Sequence, residues 1–250
     1  MIRKLQAFPS VKGVAFAVGV FVATVLVLAD EKVAFAQQHA ANFGNQGQLA
    51  ITAENLFGLT IERVGYDLPN NNQSSTTQTN IGLFHSTTSY RGPWVGAHYF
   101  VIPSLSVGAT LGFVSGSSST TTTMGAVTTT TDRAPVFRFV VVPKVGYALM
   151  FTNVLGFWFR AGPGLHTTST GDNNPNDNND QSSSTTFWFL SLDALFVVAP
   201  TPNFGFYVGP QGNFSFAGSQ SSKSNATTVS YDANFRSFSI DAGLYGAFDL

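Results

Sequence analysis

Apolar and polar residues alternate along most of this chain, in segments joined by connections of two contrasting lengths. The short connections carry Pro or Asn and recur at nearly equal intervals, at Pro103-Ser104, Thr152-Asn153 and Thr201-Pro202-Asn203. The long connections are rich in Ser, Thr, Asn and Gly, at 65–80, 115–133, 169–185 and 219–231. Side chains of a β-strand point alternately to opposite faces, so the alternation predicts strands with one apolar and one polar face.

The C-terminal segment shows the two faces most clearly. Its apolar face consists of Phe238, Ile240, Ala242, Leu244, Gly246, Phe248 and Leu250. The residues between them are small, polar or acidic. Seven segments upstream follow the same rule, which predicts eight antiparallel strands. Asn55 and Leu56 interrupt the alternation of the first strand, and we expect a bulge in the second strand near Gly92-Pro93.

Composition indicates where the apolar faces lie. Charged residues make up 10% of the chain and Phe supplies 24 positions, against a usual charged fraction of about 25%. No segment after Ala36 contains the roughly 18 consecutive apolar residues of a membrane-spanning helix. In lipid, only a closed barrel then satisfies every backbone polar group. Short connections at one end and long polar ones at the other are typical of such barrels.

The predicted fold is therefore all-β, an eight-stranded antiparallel up-and-down transmembrane β-barrel over residues 48–250. Its alternative is a soluble, lipocalin-like barrel with the apolar faces inward. With eight strands, both chain ends lie at the end with the short connections, which is the periplasmic side in bacterial outer membranes. The four long polar segments are then predicted to be exposed outer loops, and their low complexity argues against a rigid structure.

The N-terminal segment predicts export. Basic residues at Arg3, Lys4 and Lys12 precede an apolar run over 14–29, and Ala34-Phe35-Ala36 offers a small-x-small cleavage site. This order is typical of a secretory signal peptide. We therefore predict a cleaved signal peptide over residues 1–36, a periplasmic arm over 37–47, and localisation in the cell outer membrane after passage through the periplasm.

Several short segments resemble the small outer-membrane β-barrel proteins of Gram-negative bacteria. They are the opening strand Gly47-Gln-Leu-Ala-Ile-Thr-Ala-Glu54, Val145-Gly-Tyr-Ala-Leu149, Phe206-Tyr-Val-Gly-Pro210 and the alternating last strand. The resemblance covers the whole predicted barrel. It implies membrane insertion by the outer-membrane assembly machinery, although the chain ends in Leu250 rather than in the usual aromatic residue. It does not extend to the peptidoglycan-binding tail of the best-known member.

The predicted lumen carries charges of both signs. Seven charged residues occupy inward-facing positions: Glu54, Glu62, Arg138, Lys144, Arg160, Asp193 and Asp241. They form either a plug of ion pairs and hydrogen bonds or a selectivity ring in a pore. An eight-stranded barrel is about wide enough for side chains to fill, which favours the plug. Trp94 and Trp158 also have inward parity and are expected to fill the lumen.

Enzymatic and metal sites are weaker candidates. His85, His98 and His166 could join a Ser and an acid as in lipid-modifying barrels, but the chain has no G-x-S-x-G motif. The loop Asp172–Asp180 offers oxygen ligands for Ca²⁺, yet it lacks the Gly and closing Glu of an EF-hand. The chain has no Cys. We therefore predict no enzyme, no metal site and no cofactor.

The functional prediction follows from these points. We expect an integral outer-membrane protein with a structural or surface-interaction role, and the alternative is a small passive channel. A mildly acidic mature chain argues against a nucleic-acid partner. The expected partners are outer-membrane lipid or lipopolysaccharide, the assembly machinery and an extracellular ligand at the loops, and the expected state is a monomer.

Overall fold

The computed structural model describes residues 41–68, 72–83, 94–124, 127–171, 181–224 and 227–250. They form nine strands: β1 (Gln48–Leu68), β2 (Asn72–Leu83), β3 (Trp94–Ile102), β4 (Leu105–Met124), β5 (Val127–Met150), β6 (Leu155–Gly171), β7 (Gln181–Thr201), β8 (Phe204–Ser224) and β9 (Thr227–Asp249). Within these ranges, no helix is long and apolar enough to cross a bilayer. The predicted signal peptide lies outside the described residues.

The strands close into a ring. From β3 onward each strand pairs with the next in an antiparallel ladder, and β9 pairs with β1. β2 and β3 pair with the same edge of β1, β2 along 57–68 and β3 along 49–54. They share one place in the ring, so the nine strands fill eight positions. The predicted eight-stranded up-and-down barrel is confirmed. The bulge expected near Gly92-Pro93 falls outside the described residues.

The prediction of four long polar loops is wrong over most of their length. In the segments 65–80, 115–133 and 219–231, the described residues form antiparallel β-hairpin ladders that extend to the pairs Leu68–Asn72, Met124–Val127 and Ser224–Thr227. In the fourth segment, β6 and β7 remain paired as far as Gly171 and Ser182, and 172–180 are outside the described residues. Backbone pairing does not require an apolar face, and β-branched Thr fits a pleated strand well. Polarity marked the end of the apolar band, not the end of the strands.

The two faces of the barrel differ in chemistry. Large apolar side chains on every strand point outward and are exposed, among them Phe57 at 50%, Leu111 at 50% and Phe238 at 52%. Trp94 and Trp158 are buried inside, and Trp188 is exposed outside. Carboxylates, guanidinium and ammonium groups also lie inside. A soluble barrel would show the reverse, so the lipocalin-like alternative does not fit, and the apolar exterior is suited to lipid.

A bulge in β1 explains the interrupted alternation at Asn55 and Leu56. The register shifts between Ala53 and Phe57, whose partners on β9 are only two positions apart. Asn55 has a φ of 57°, in the left-handed region that Asn tolerates better than most residues. The two extra residues preserve parity, so both halves of β1 keep their apolar side chains outward.

Candidate functional site

The segment that precedes β1 packs inside the barrel at the short-connection end. Phe43 is buried and packs against three rings, with centroid distances of 5.1 Å to Phe100, 5.1 Å to Trp158 and 4.6 Å to Tyr245. The backbone N–H of Ser104 donates to the carbonyl of Gly44 at 2.8 Å. These contacts hold an aromatic layer across the end of the barrel.

An ion-pair network lies next to this layer. Lys144 Nζ is 2.7 Å from Asp193 Oδ2 and 3.6 Å from Glu54 Oε2. Arg160 Nη1 is 2.5 Å from Glu54 Oε1, and its Nη2 is 2.9 Å from Asp193 Oδ2. All four side chains are buried. Each cation contacts both carboxylates. The two positive and two negative formal charges of the network cancel.

Neutral side chains add hydrogen bonds to one oxygen of each carboxylate. The hydroxyls of Thr52 and Thr110 donate to Glu54 Oε1 at 2.9 Å and 3.2 Å. Gln211 Nε2 donates to Asp193 Oδ1 at 3.0 Å. A buried ion pair is stabilising only when such bonds offset the loss of hydration. The network therefore involves side chains from six strands around the lumen, β1 and β4 to β8.

Trp158 joins the network to the aromatic layer. The Arg160 guanidinium lies 4.7 Å from the centre of the Trp158 ring, a cation–π distance. The indole Nε1 donates to Ser106 Oγ at 3.2 Å. The Trp158 ring thus contacts both Phe43 of the aromatic layer and the charged guanidinium of the network.

A glycine leaves room for the network. A Cβ at Gly96 would lie 3.1 Å from Glu54 Oε1 and would overlap the Thr52 hydroxyl. Any larger residue there would push the carboxylate away from Arg160. The absence of a side chain on β3 and the bulge in β1 together allow Glu54 to reach across the lumen.

The other three residues of the predicted lumen set lie elsewhere. Asp241 is buried on β9 and accepts a hydrogen bond from Ser239. Glu62 is buried and Arg138 is half-buried, both farther along their strands toward the hairpin end. A second apolar layer of buried side chains lies inside the barrel, formed by Trp94, Val140, Val142, Phe187, Phe189, Ala233 and Phe235.

The histidines do not form a recognisable catalytic group in the described part of the chain. His98 Nε2 is 3.3 Å from Arg160 Nη1, and its ring stands edge-on to Trp158 at 4.8 Å. His166 Nε2 lies 3.1 Å from Thr168 Oγ1 on the same strand. His85 and the Asp172–Asp180 loop are outside the described residues. Among those described, no group of three or more His, Cys, Asp or Glu is placed to hold a metal ion.

Sequence reasoning missed the aromatic layer. Phe43 precedes the first alternating segment and belongs to no periodic pattern, so parity gives no information about it. The sequence does show two glycines, Gly44 and Gly47, close to Phe43. In the structure both have positive φ. Two glycines in this conformation allow the chain to turn back across the barrel end.

Comparison with solved structures finds proteins of similar fold at low sequence identity. No family model and no curated protein sequence matches it. The outer membrane protein OprG from Pseudomonas aeruginosa is similar over 84% of this chain and 100% of its own, with a TM-score of 0.51 and 11% identity. Neisserial surface protein A matches over 82% and 100%, with a TM-score of 0.43 and 14% identity. Ail from Yersinia pestis matches over 81% and 99%, with a TM-score of 0.37 and 14% identity.

The chain therefore has the fold of the small outer-membrane β-barrel proteins that its sequence resembles. At such low identity the likeness concerns the fold alone. Together with the apolar exterior, this fold supports the predicted location in the outer membrane.

Proposed function

We propose that this protein is an integral outer-membrane barrel that presents polar β-hairpins outside the membrane and has a closed lumen. The observation that carries the proposal is the order of layers in the lumen. The aromatic layer around Phe43 is followed by the four-residue ion-pair network and then by the second apolar layer around Phe187 and Phe235. Water and ions moving through the barrel would have to displace all three.

This arrangement argues against the passive channel. A conducting pore needs a continuous hydrated path and weak binding along it. Here Lys144 and Arg160 are engaged by carboxylates at short distances, and the Arg160 guanidinium is covered on one side by Trp158. Opening a path would leave charges unpaired in a region of low dielectric constant, which is costly.

The proposal also assigns no catalytic role. His98 contacts a guanidinium and an indole, and both are parts of the packed lumen. His166 contacts a hydroxyl of its own strand. The role lies instead in the exterior: an apolar band in contact with lipid, and hydroxyl-rich hairpins beyond it that offer backbone and side-chain hydrogen bonds to an extracellular partner.

Conductance measurements test the closed lumen. Wild-type protein in planar bilayers is expected to give no stepwise openings. The double variant Phe43→Ala/Trp158→Ala removes two rings of the aromatic layer and leaves the ion-pair network and the second apolar layer in place. It is therefore also expected to give no stepwise openings, provided that the barrel still shifts on heating in gels. Stepwise openings of the wild-type protein would refute the closed lumen and restore the channel.

Membrane integration needs a separate test. The wild-type protein should fractionate with outer membranes, resist extraction by carbonate and require detergent for release. Heated and unheated samples should differ in mobility on gels, because a closed barrel binds less detergent than the unfolded chain. Release by carbonate alone would overturn the proposal.

A further inference from the structure

A basic pair lies on the outer wall of the barrel, immediately beyond the apolar band. Arg63 on β1 and Arg236 on β9 are directly opposite each other in the ladder, and both side chains are exposed. The preceding pair toward the short-connection end, Ile61 and Phe238, is apolar and 47% and 52% exposed. Phe214, the β8 neighbour of Arg236, is also exposed. The two guanidinium groups thus stand where acyl chains give way to headgroups.

This pairing is unfavourable unless something is bound to it. Like charges directly opposite each other on a sheet repel. Arg63 Nη2 donates to Ser75 Oγ at 3.4 Å, a long hydrogen bond to a neutral group. Among the described residues, neither of these two arginines forms an ion pair. The arginines therefore present two charged donors outward with no carboxylate within 4.0 Å in the described structure.

A polar cleft of about 420 Å³ continues from the arginines toward the hairpin end. Gly65 and Asn234 line it and lie close together, since a Cβ at Gly65 would approach Asn234 Oδ1 to 3.0 Å. Asp67 and Gln73, joined by a hydrogen bond of 3.2 Å, form its far side. Amide and carboxylate groups beyond the apolar band can form hydrogen bonds with sugar hydroxyls.

We propose that this cleft binds a phosphorylated glycolipid of the outer leaflet, with a phosphate between Arg63 and Arg236. Arginine suits phosphate because its planar fork can donate two parallel hydrogen bonds. The sugar hydroxyls would contact Asp67, Gln73 and Asn234, and the acyl chains would lie along Ile61, Phe214 and Phe238. Along the barrel wall, the apolar residues, the arginines and the polar residues therefore occur in the same order as the acyl chains, the phosphate and the sugar hydroxyls assigned to them. The inference rests on the proposed membrane location.

Native mass spectrometry of the detergent-solubilised barrel tests this site. The protein is titrated with bisphosphorylated lipid A, with its dephosphorylated form and with phosphatidylglycerol. Wild-type protein is expected to retain the bisphosphorylated form in preference to the other two. Arg63→Gln/Arg236→Gln should weaken this binding about tenfold to a hundredfold, since the loss of one hydrogen bond to a charged group raises the Kd roughly tenfold or more.

Two further variants separate a built site from a general basic surface. Lys223→Gln removes an exposed positive charge on the β8–β9 hairpin, away from the cleft, and is expected to leave binding unchanged. Gly65→Val fills the cleft without changing charge and should weaken binding. Equal binding of phosphatidylglycerol by the wild-type protein, or undiminished binding by the double arginine variant or by Gly65→Val, would overturn the inference.

The shift of each sample on heating in gels distinguishes a failure of the glycolipid site from a failure of the membrane barrel. A protein that shifts on heating but does not distinguish the phosphorylated lipid is still an outer-membrane barrel, and only the glycolipid site is refuted. A wild-type protein that shows no shift and is released without detergent refutes the membrane barrel itself.

Discussion

Replacing Arg160 by Met should be among the most damaging single changes in the lumen. Arg160 contacts Glu54 at 2.5 Å and Asp193 at 2.9 Å, and all three groups are buried. Without the guanidinium, Lys144 alone faces two carboxylates, and one buried negative charge is uncompensated. Removing one partner of a buried ion pair costs about 3–5 kcal/mol. We expect Arg160→Met to lower the free energy of unfolding by this amount.

A double-mutant cycle isolates the electrostatic part. Glu54→Gln/Arg160→Met removes one charge of each sign and leaves Lys144 paired with Asp193 at 2.7 Å. The double variant should therefore cost about 1–3 kcal/mol less than the sum of the two single variants, in the usual range of coupling between contacting residues. Removing a positive charge from the exposed hairpin, with Lys223→Gln, should change stability by less than about 0.5 kcal/mol.

Urea titration of folding in phospholipid vesicles measures these values. Tryptophan fluorescence reports on the network directly, because Trp158 lies against Arg160, and gel mobility of unheated samples reports on barrel closure. Strict additivity of Glu54→Gln and Arg160→Met would refute the reasoning, as would a cost below about 1 kcal/mol for Arg160→Met, the level of an exposed ion pair.

Three further changes test other parts of the structure, each by the same urea titration. Phe43→Ala should cost about 3–5 kcal/mol, the usual penalty for deleting a buried Phe, and a value under about 1 kcal/mol would mean that the segment before β1 does not seal the barrel. Asn55→Ala should cost about 1–2 kcal/mol because of its positive φ, while Asn55→Gly should be nearly neutral; equal costs would show that the bulge conformation is not the cause. Phe238→Arg on the lipid face should cost up to about 2–4 kcal/mol, depending on its depth in the bilayer, whereas Ser230→Arg on the exposed hairpin should be tolerated, and similar costs at both positions would argue against an apolar environment around Phe238.

The alternation of residues was sufficient to predict the fold and the face of each strand. It assigned Phe57, Phe238 and Leu111 to the outside and Trp94 and Trp158 to the inside, because the alternation within a strand is local and does not depend on which strands pair. It could not locate strand ends. Ser and Thr continue the backbone ladder of β4, β5, β8 and β9 well past the apolar band, and backbone hydrogen bonds leave no mark in a hydropathy pattern.

Parity also could not identify which lumen residues meet. Glu54 and Asp193 lie on strands that are not neighbours in the ring, and whether they reach the same level depends on the stagger of every ladder between them. Two local features decide this level for Glu54: the bulge at Asn55 and the open space beside Gly96. Gly96 leaves no mark in the apolar pattern, and the interruption at Asn55 and Leu56 marks a break in the alternation without giving the level of Glu54 in the lumen. For the same reason Glu62 and Arg138 have the same parity as the network residues but lie farther along the barrel.

The charged lumen also bears on why the barrel adopts a single register. A barrel with apolar residues on both faces would lose little by turning either face toward lipid. In this chain, a slip of one residue in a strand exchanges its faces and would move Lys144 or Arg160 to the lipid side. Each cation there would cost about 2–4 kcal/mol near the middle of the bilayer, and its carboxylate partners would remain unpaired inside. The ion pairs therefore disfavour one-residue slips of β5 or β6 more strongly than they stabilise the correct register, which is consistent with the modest net contribution of buried ion pairs to stability.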